Sequence, residues 1–271
     1  MRAPAPAKIN LALVVGPTRA DGKHELLTAY QRLGFVDRIE LEPAARLRVE
    51  GFAEDTLVGQ ALAALAHRAG VEPAWRVLIE KQIPVASGLG GGSSDAATAL
   101  RLANETLPTP LPPEDLRALA ATLGADVPFF LAEGPQLGSG DGSVLEPLDL
   151  PQDFWVVLLL PRGAAKPSTA AVYAAFDDRG GASGWEARRQ SLLDGLARVR
   201  RPRDLAGLPP NDLATSPLAE ELLAAGAFRA DVTGAGPVLY GLFHHRSAAE
   251  SARRALRRLG RTWLTAPAWY G

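Results

Sequence analysis

Alternation opens the chain. From Ala7 to Val15, the residues Ile9, Leu11, Leu13 and Val15 take one face of a strand, while Lys8 and Asn10 share the other with Ala12 and Val14. Two polar residues at the head of an apolar strand mark either a site or an exposed edge. Asp21-Gly22 then predicts a turn, before Leu26-Leu27 and a second strand through Leu33 and Phe35. From Thr56 to Ala69 the period becomes helical, with Leu57, Ala61, Leu62 and Leu65 on one face and Gly70 as the stop. Val77, Ile79 and Ile83 alternate with Leu78, Glu80 and Gln82 as another strand. Ala96, Ala97, Ala99, Leu100, Leu102 and Ala103 follow as a small-residue helix, its first turn capped by Asp95 or a serine. Pro112-Pro113-Glu114-Asp115 opens a further helix that Gly124 stops.

In the second half, Gly138-Ser139-Gly140-Asp141-Gly142 reads as a hairpin turn, since no helix follows it. Phe154 to Leu160 is a buried strand that starts a second domain, so the expected domains are 1–150 and 151–271. Ser168 or Thr169 caps a helix bearing Val172, Tyr173 and Phe176, and a second helix runs from Trp185 to Val199. A short helix over Leu218 to Leu223 precedes a tight small-residue turn from Ala230 to Pro237. A strand at Val238 to Phe243, a helix over Ser247 to Leu259 and a last strand at Trp263-Leu264 complete an α+β arrangement.

Between the third strand and its helix lies Pro84-Val85-Ala86-Ser87-Gly88-Leu89-Gly90-Gly91-Gly92-Ser93-Ser94. Glycines let backbone approach a ligand closely, and free N–H groups at a helix start favour an anion. The loop reads as a phosphate cradle or, more blandly, as a flexible surface turn. It is not a Gly-x-x-x-x-Gly-Lys-Ser/Thr loop, because serines stand where the lysine belongs, nor does it have the third spaced glycine of Gly-x-Gly-x-x-Gly.

Composition narrows the class. With 47% hydrophobic and 22% charged residues, the 271-residue chain can bury a substantial core. Zero cysteines exclude disulfides and thiolate metal sites. A net charge of −1 gives no whole-chain attraction for nucleic acid or an anionic membrane, and no apolar run reaches spanning length. The start of the chain lacks an apolar signal core, so a cytoplasmic protein is expected. Two arginine clusters, Arg198 to Arg203 and Arg253-Arg254 with Arg257-Arg258, either bind anions or form solvated faces.

Four segments together resemble one family. Pro6-Ala7-Lys8-Ile9-Asn10-Leu11, Asp21-Gly22-Lys23-His24, the glycine loop and Gly124-Ala125-Asp126-Val127-Pro128-Phe129-Phe130 are similar to the 4-diphosphocytidyl-2-C-methyl-D-erythritol kinases of the galactokinase–homoserine–mevalonate–phosphomevalonate (GHMP) kinase superfamily. The superfamily's third motif matches at Thr233-Gly234-Ala235-Gly236, so the resemblance spans nearly the whole chain. It implies an N-terminal α/β domain and a C-terminal ferredoxin-like domain, with the active site in the cleft between them. It also implies transfer of the ATP γ-phosphoryl to the substrate's 2-hydroxyl, in the non-mevalonate route to isoprenoid precursors.

By this resemblance, Pro84 to Ser94 bind ATP, Asp126 accepts the proton of the attacking hydroxyl, and Lys8 pairs with Asp126 and steadies charge on that oxygen. By spacing alone, Asp126 reads first as a helix N-cap. Magnesium arrives with ATP and no dedicated carboxylate cage is expected, Ser94 being the loop hydroxyl nearest it. Asn10, His24, Thr233, Gly234 and Gly236 fall on the substrate side, and Tyr173 is a candidate to stack on the pyrimidine. His24 alone reads as an ordinary turn histidine. The family's usual aromatic between Gly22 and His24 is here Lys23, Ala86 replaces a common glycine and Ala235 a common serine. A GHMP kinase for another alcohol, such as mevalonate or homoserine, and a non-catalytic nucleotide-binding module are the competing readings. The partners expected are small molecules only, with the chain a monomer or weak homodimer.

Overall fold

The computed structural model describes residues 1–52, 56–164 and 168–268. In chain order the elements are β1 (Arg2–Thr18), β2 (His24–Pro43), β3 (Arg48–Glu50), α1 (Thr56–Ala69), β4 (Trp75–Glu80), α2 (Gly91–Asn104), α3 (Pro113–Leu123), β5 (Gln136–Gly140), β6 (Val144–Pro147) and β7 (Trp155–Pro161). Then come α4 (Thr169–Asp178), α5 (Trp185–Arg198), α6 (Leu218–Ala224), β8 (Arg229–Val232), β9 (Leu239–Phe243), α7 (Arg246–Leu256) and β10 (Gly260–Thr265). They divide into two compact units. Unit 1 is Met1–Ala7, Phe35–Val85 and Gly90–Glu133; unit 2 is Lys8–Gly34, Ala86–Leu89 and Gly134–Gly271.

In unit 1 the end of β2 pairs antiparallel with β4, Arg38 opposite Glu80 and Pro43 opposite Trp75, and β4 takes β3 in parallel. Alternate residues Ile39, Leu41, Val77 and Ile79 turn inward and meet Leu62 and Leu65 of α1 and Leu100 of α2 in one core. The alanine face of α2 (Ala96, Ala97, Ala99 and Ala103) is wholly buried in that core. Alanine side chains are short, which lets α1 approach α2 closely. Each fully buried leucine here contributes roughly 1.5–3 kcal/mol.

In unit 2 the first part of β2 pairs with β5, Leu26 opposite Gly140, and β5 folds back on β6 through the turn at Asp141 to Ser143. The glycine cluster there is the expected hairpin. A separate antiparallel sheet has the order β10-β7-β9-β8. With α6 between β7 and β8, and α7 between β9 and β10, this is the strand order and connection pattern of a ferredoxin-like fold. Its inner residues Val157, Val232, Leu239 and Phe243 pack on Leu222 of α6 and on Ala249, Ala252 and Leu256 of α7. A second cluster joins Leu13, Val15 and Leu26 to Val172 and Phe176 of α4.

Several expected elements shift. β4 ends at Glu80, so Ile83 lies beyond the strand. Residues 230 to 232 belong to β8, and the tight turn is confined to Thr233 to Pro237. The helix expected to reach Leu259 stops at Leu256. β3 and a 3-10 turn at Pro202–Gly207 carry no periodic signal and were not legible. That turn organises the first arginine cluster: the Asp204 carboxylate accepts the backbone N–H groups of Arg200 and Arg201, which hold it below its ordinary range. In the second cluster Arg254, Arg257 and Arg258 are exposed, Arg258 meeting Glu221 at 2.6 Å. Among the described residues, no helix is long and apolar enough to cross a membrane.

Candidate active site

The glycine loop contributes to both units: Pro84, Val85 and Gly90 to Ser94 belong to unit 1, and Ala86, Ser87, Gly88 and Leu89 to unit 2. In unit 1, Gly90 turns the chain at φ 72° and α2 begins at Gly91 with no side-chain cap. The expected cap from Asp95 or a serine is therefore absent. Asp95 instead lies fully buried, bonded to Lys81. The first-turn N–H groups are left without a side-chain acceptor at the positive end of the helix dipole. Gly92 has no heavy atom within 4 Å of where a Cβ would stand, so that side of the turn is open. Ser94 is completely buried, and its Oγ has no hydrogen-bond partner. A buried unsatisfied hydroxyl costs about 1–3 kcal/mol. The start of α2 is thus an anion-ready surface with one unspent hydroxyl.

Asp126 lies in the connection between α3 and a 3-10 turn at Pro128–Leu131, half-buried. The residue preceding that turn is Val127, and no side chain caps it, so the N-cap reading of Asp126 fails.

In unit 2, Lys8 and Asn10 are each 3% exposed, which overturns the exposed-edge reading of that strand. Lys8 Nζ donates to Asn10 Oδ1 at 2.8 Å, and Asn10 Nδ2 donates to Thr28 Oγ1 at 2.7 Å. Thr28 in turn donates to the Ala12 carbonyl at 2.8 Å. Asn10 N–H donates to Thr233 Oγ1 at 3.2 Å, which brings the first and third motifs together. A Cβ on Gly88 would overlap the Thr233 carbonyl oxygen, and Gly88 has φ 83°, so only glycine fits there. Gly234 stands against the same pair, its Cβ position 3.4 Å from Lys8 Nζ and 3.6 Å from Asn10 Oδ1. Gly236 closes the turn by donating its N–H to the Thr233 carbonyl.

Sequence reasoning missed Thr28 and Asn211. Asn211 Nδ2 holds the third motif by donating to the carbonyls of Val232 and Gly234 at 2.9 and 2.7 Å. Neither had a local signal, because both act across long sequence separations. Also missed was Lys81, whose one visible sign was a lysine placed just before the loop.

His24 and Tyr173 do meet. Their rings stack at 4.9 Å with 27° between planes, and His24 Nε2 lies 2.7 Å from Asp177 Oδ1. His24 is therefore buried and anchored rather than a plain turn residue. Lys23, in the usual aromatic position, is tied to the hairpin through Asp141 at 2.5 Å. Ala86 has φ 52°, a left-handed conformation that glycine adopts freely and alanine does not.

Comparison with known proteins fixes the class first. One family model, described as the GHMP kinases N terminal domain, matches residues 56–134, and another, GHMP kinases C terminal, matches residues 213–262. The structure of Methanococcus jannaschii mevalonate kinase matches with a TM-score of 0.77 over 99% of this chain and 98% of that one, at 12% identity, and so shares the fold. Fold and motifs define an ATP-dependent GHMP kinase.

Nearer relatives narrow this. A crystal structure of 4-(cytidine 5'-diphospho)-2C-methyl-D-erythritol kinase matches with a TM-score of 0.80 and 33% identity, over 99% of this chain and 100% of that one. The 4-diphosphocytidyl-2-C-methyl-D-erythritol kinase of Salinispora arenicola is 39% identical over 94% of this chain and 86% of its own length, and that of Deinococcus radiodurans 39% identical over 97% and 91%. The chain belongs to the 4-diphosphocytidyl-2-C-methyl-D-erythritol kinase family.

Proposed function

We propose that this chain transfers the γ-phosphoryl of ATP to the 2-hydroxyl of 4-diphosphocytidyl-2-C-methyl-D-erythritol. Kinship with enzymes of that name supports the substrate. The observation that carries phosphoryl transfer is the start of α2, uncapped, open at Gly92 and holding the unpartnered Ser94 hydroxyl. Pro84 to Ser94 would bind the ATP phosphates through backbone N–H groups. Asp126 accepts the proton of the attacking hydroxyl and orients it, a carboxylate being a weak base whose main contribution is positioning. Lys8, buried and aimed by Asn10, steadies the charge developing on that oxygen. Asn10, Thr233, Gly234 and Gly236 shape the surroundings of Lys8, and His24 with Tyr173 offers a ring platform for the substrate's base.

Magnesium would arrive with the nucleotide and supply neutralisation of the phosphate charge. Among the described residues, no cluster of three or more His, Cys, Asp or Glu could hold a metal on its own. Ser94, whose hydroxyl has no hydrogen-bond partner, is the loop residue that would help hold it. The protein acts in the cytoplasm on small molecules, as a monomer or weak homodimer.

A coupled ADP-release assay against a panel of alcohols tests the reading. ADP release that depends on the cytidine diphosphate substrate is expected. Turnover with mevalonate or homoserine alone would replace this substrate with another, and ATP binding without turnover on any alcohol would make the chain a binding module.

A further inference from the structure

Next to the glycine loop, unit 1 buries a charge cluster that none of the roles above uses. Asp37 of β2 and Asp95 of α2 are both completely inaccessible, and Lys81, just after β4, joins them. Its ammonium donates to Asp37 Oδ2 and to Asp95 Oδ2, both at 2.6 Å. The other oxygen of Asp37 accepts the backbone N–H groups of Gln82 at 2.5 Å and Ile83 at 2.8 Å, which fixes the chain as it leaves the strand. Asp95 lies four residues into α2, one turn below Gly91. The Cβ position of Gly91 stands 3.2 Å from Lys81 Nζ and 3.0 Å from the Ile83 side chain. One ammonium therefore clamps the strand-side stem of the loop to its helix-side stem.

We infer that Lys81 is a positioning residue for nucleotide binding: it fixes the spacing of the two stems of the glycine loop and neutralises the carboxylates buried beneath the phosphate-binding turn. The inference rests on the ATP reading above. Its physical logic is one of sign. Two carboxylates and one ammonium leave a formal charge of −1 beside a turn meant for a polyanion. Without Lys81 the two carboxylates lose their shared counterion, in a place that water does not screen, and negative charge left there repels a polyanion strongly. Burial works against the Lys81 charge, but Asp95 and Asp37 outweigh it and hold the ammonium above its ordinary range, so Lys81 stays charged. Lys81 itself need not touch ATP. It sets where the first-turn N–H groups of α2 stand and what field they sit in.

The test is to measure ATP binding by calorimetry and, at saturating ATP, turnover, on the unaltered chain and on Lys81→Met and Asp95→Asn. Circular dichroism and thermal melting report whether each variant is folded. A folded K81M is expected to loosen ATP binding by at least about tenfold, while kcat at saturating ATP and KM for the alcohol stay within about threefold, because the reacting groups are untouched. D95N keeps an oxygen for the lysine to bond and lowers the cluster's negative charge, so ATP should bind it as tightly as the unaltered chain or more tightly.

A folded K81M with unchanged ATP affinity overturns the inference, as does one in which kcat and both KM values worsen in parallel, the mark of general structural damage. Removing one partner of a buried ion pair can cost the fold itself. If K81M does not fold, D95N decides: equal or tighter ATP binding supports the inference, and binding tenfold weaker overturns it. Absence of ATP binding by the unaltered chain would instead remove the reading on which this one rests.

Discussion

In the segment from Gly138 to Gly142, the protein itself fills the space that side chains would occupy. A Cβ on Gly138 would stand 2.5 Å from the Tyr30 ring, and one on Gly142 would stand 2.8 Å from the Tyr30 hydroxyl. In the segment from Gly90 to Gly92 the account differs. Gly90 is required by its positive φ and Gly91 is crowded by Ile83 and Lys81, but Gly92 meets nothing within 4 Å and has no unusual φ. Both stretches are glycine-rich, and sequence alone separates them only by the next element along the chain, a strand in one case and a helix in the other. A glycine that its own fold would crowd is there for packing. One that stands in open space at an uncapped helix start leaves room for a ligand. On the function proposed above, the loop binds, the hairpin packs, and the chemistry falls to residues in neither.

The largest expected effect sharpens the division between binding and chemistry. Asp126→Asn should lower kcat by at least about a hundredfold with little change in ATP affinity, read by steady-state kinetics beside calorimetry; near-normal turnover would remove Asp126 from the mechanism. Next, Gly138→Val should destabilise the fold by about 1–3 kcal/mol through overpacking against Tyr30 and leave ATP binding alone. Urea unfolding measures the first and calorimetry the second, and a loss of nucleotide affinity in that variant would break the comparison. Relieving the left-handed strain at Ala86 is a smaller change: Ala86→Gly should stabilise by at most about 1 kcal/mol, since glycine's greater freedom in the unfolded chain offsets part of the gain.

The smallest effect concerns the hairpin's own charge pair. Burial works against the Asp141 carboxylate, but its bonds from Lys23 and Ser143 hold it below its ordinary range. A depressed carboxylate contributes stability that is present above its unfolded value near pH 4 and is lost as pH falls through the lower folded value. Asp141→Asn should therefore flatten the melting temperature's fall below about pH 4, with a change of at most about 1 kcal/mol because Lys23 is exposed.

Much of the framework was legible because local signals agreed with it. α1 occupies the residues its periodicity and Gly70 predicted, and Ser168 caps α4 by accepting from the Ala171 N–H at 3.1 Å. What failed did so for tertiary reasons. Asp95 has the residue type of a cap, but α2 begins four residues earlier, at Gly91, and places Asp95 one turn inside the helix, where its carboxylate bonds Lys81. β8 was hidden inside a run of small residues because its pairing with β9 comes from the tertiary fold and not from alternation. At the site, the motifs marked Lys8, Asn10, the loop and Thr233, and the structure joins Asn10 to Thr233. Thr28, Asn211 and the Lys81 cluster escaped because hydrogen bonds between residues far apart in the chain leave no spacing to read.

Gly92→Val gives the most direct measurement of the central claim, that the turn opening α2 holds the nucleotide's phosphates. Gly91 is a poorer choice, because a side chain there would strike Ile83 and Lys81 whether or not a ligand bound. At position 92 a Cβ meets nothing within 4 Å beyond its own helix, and valine is a better helix former than glycine, so the melting temperature should hold or rise. ATP binding by calorimetry should weaken at least about tenfold, equivalent to about 1.4 kcal/mol. A stable Gly92→Val protein that binds ATP as tightly as the unaltered chain would contradict the account.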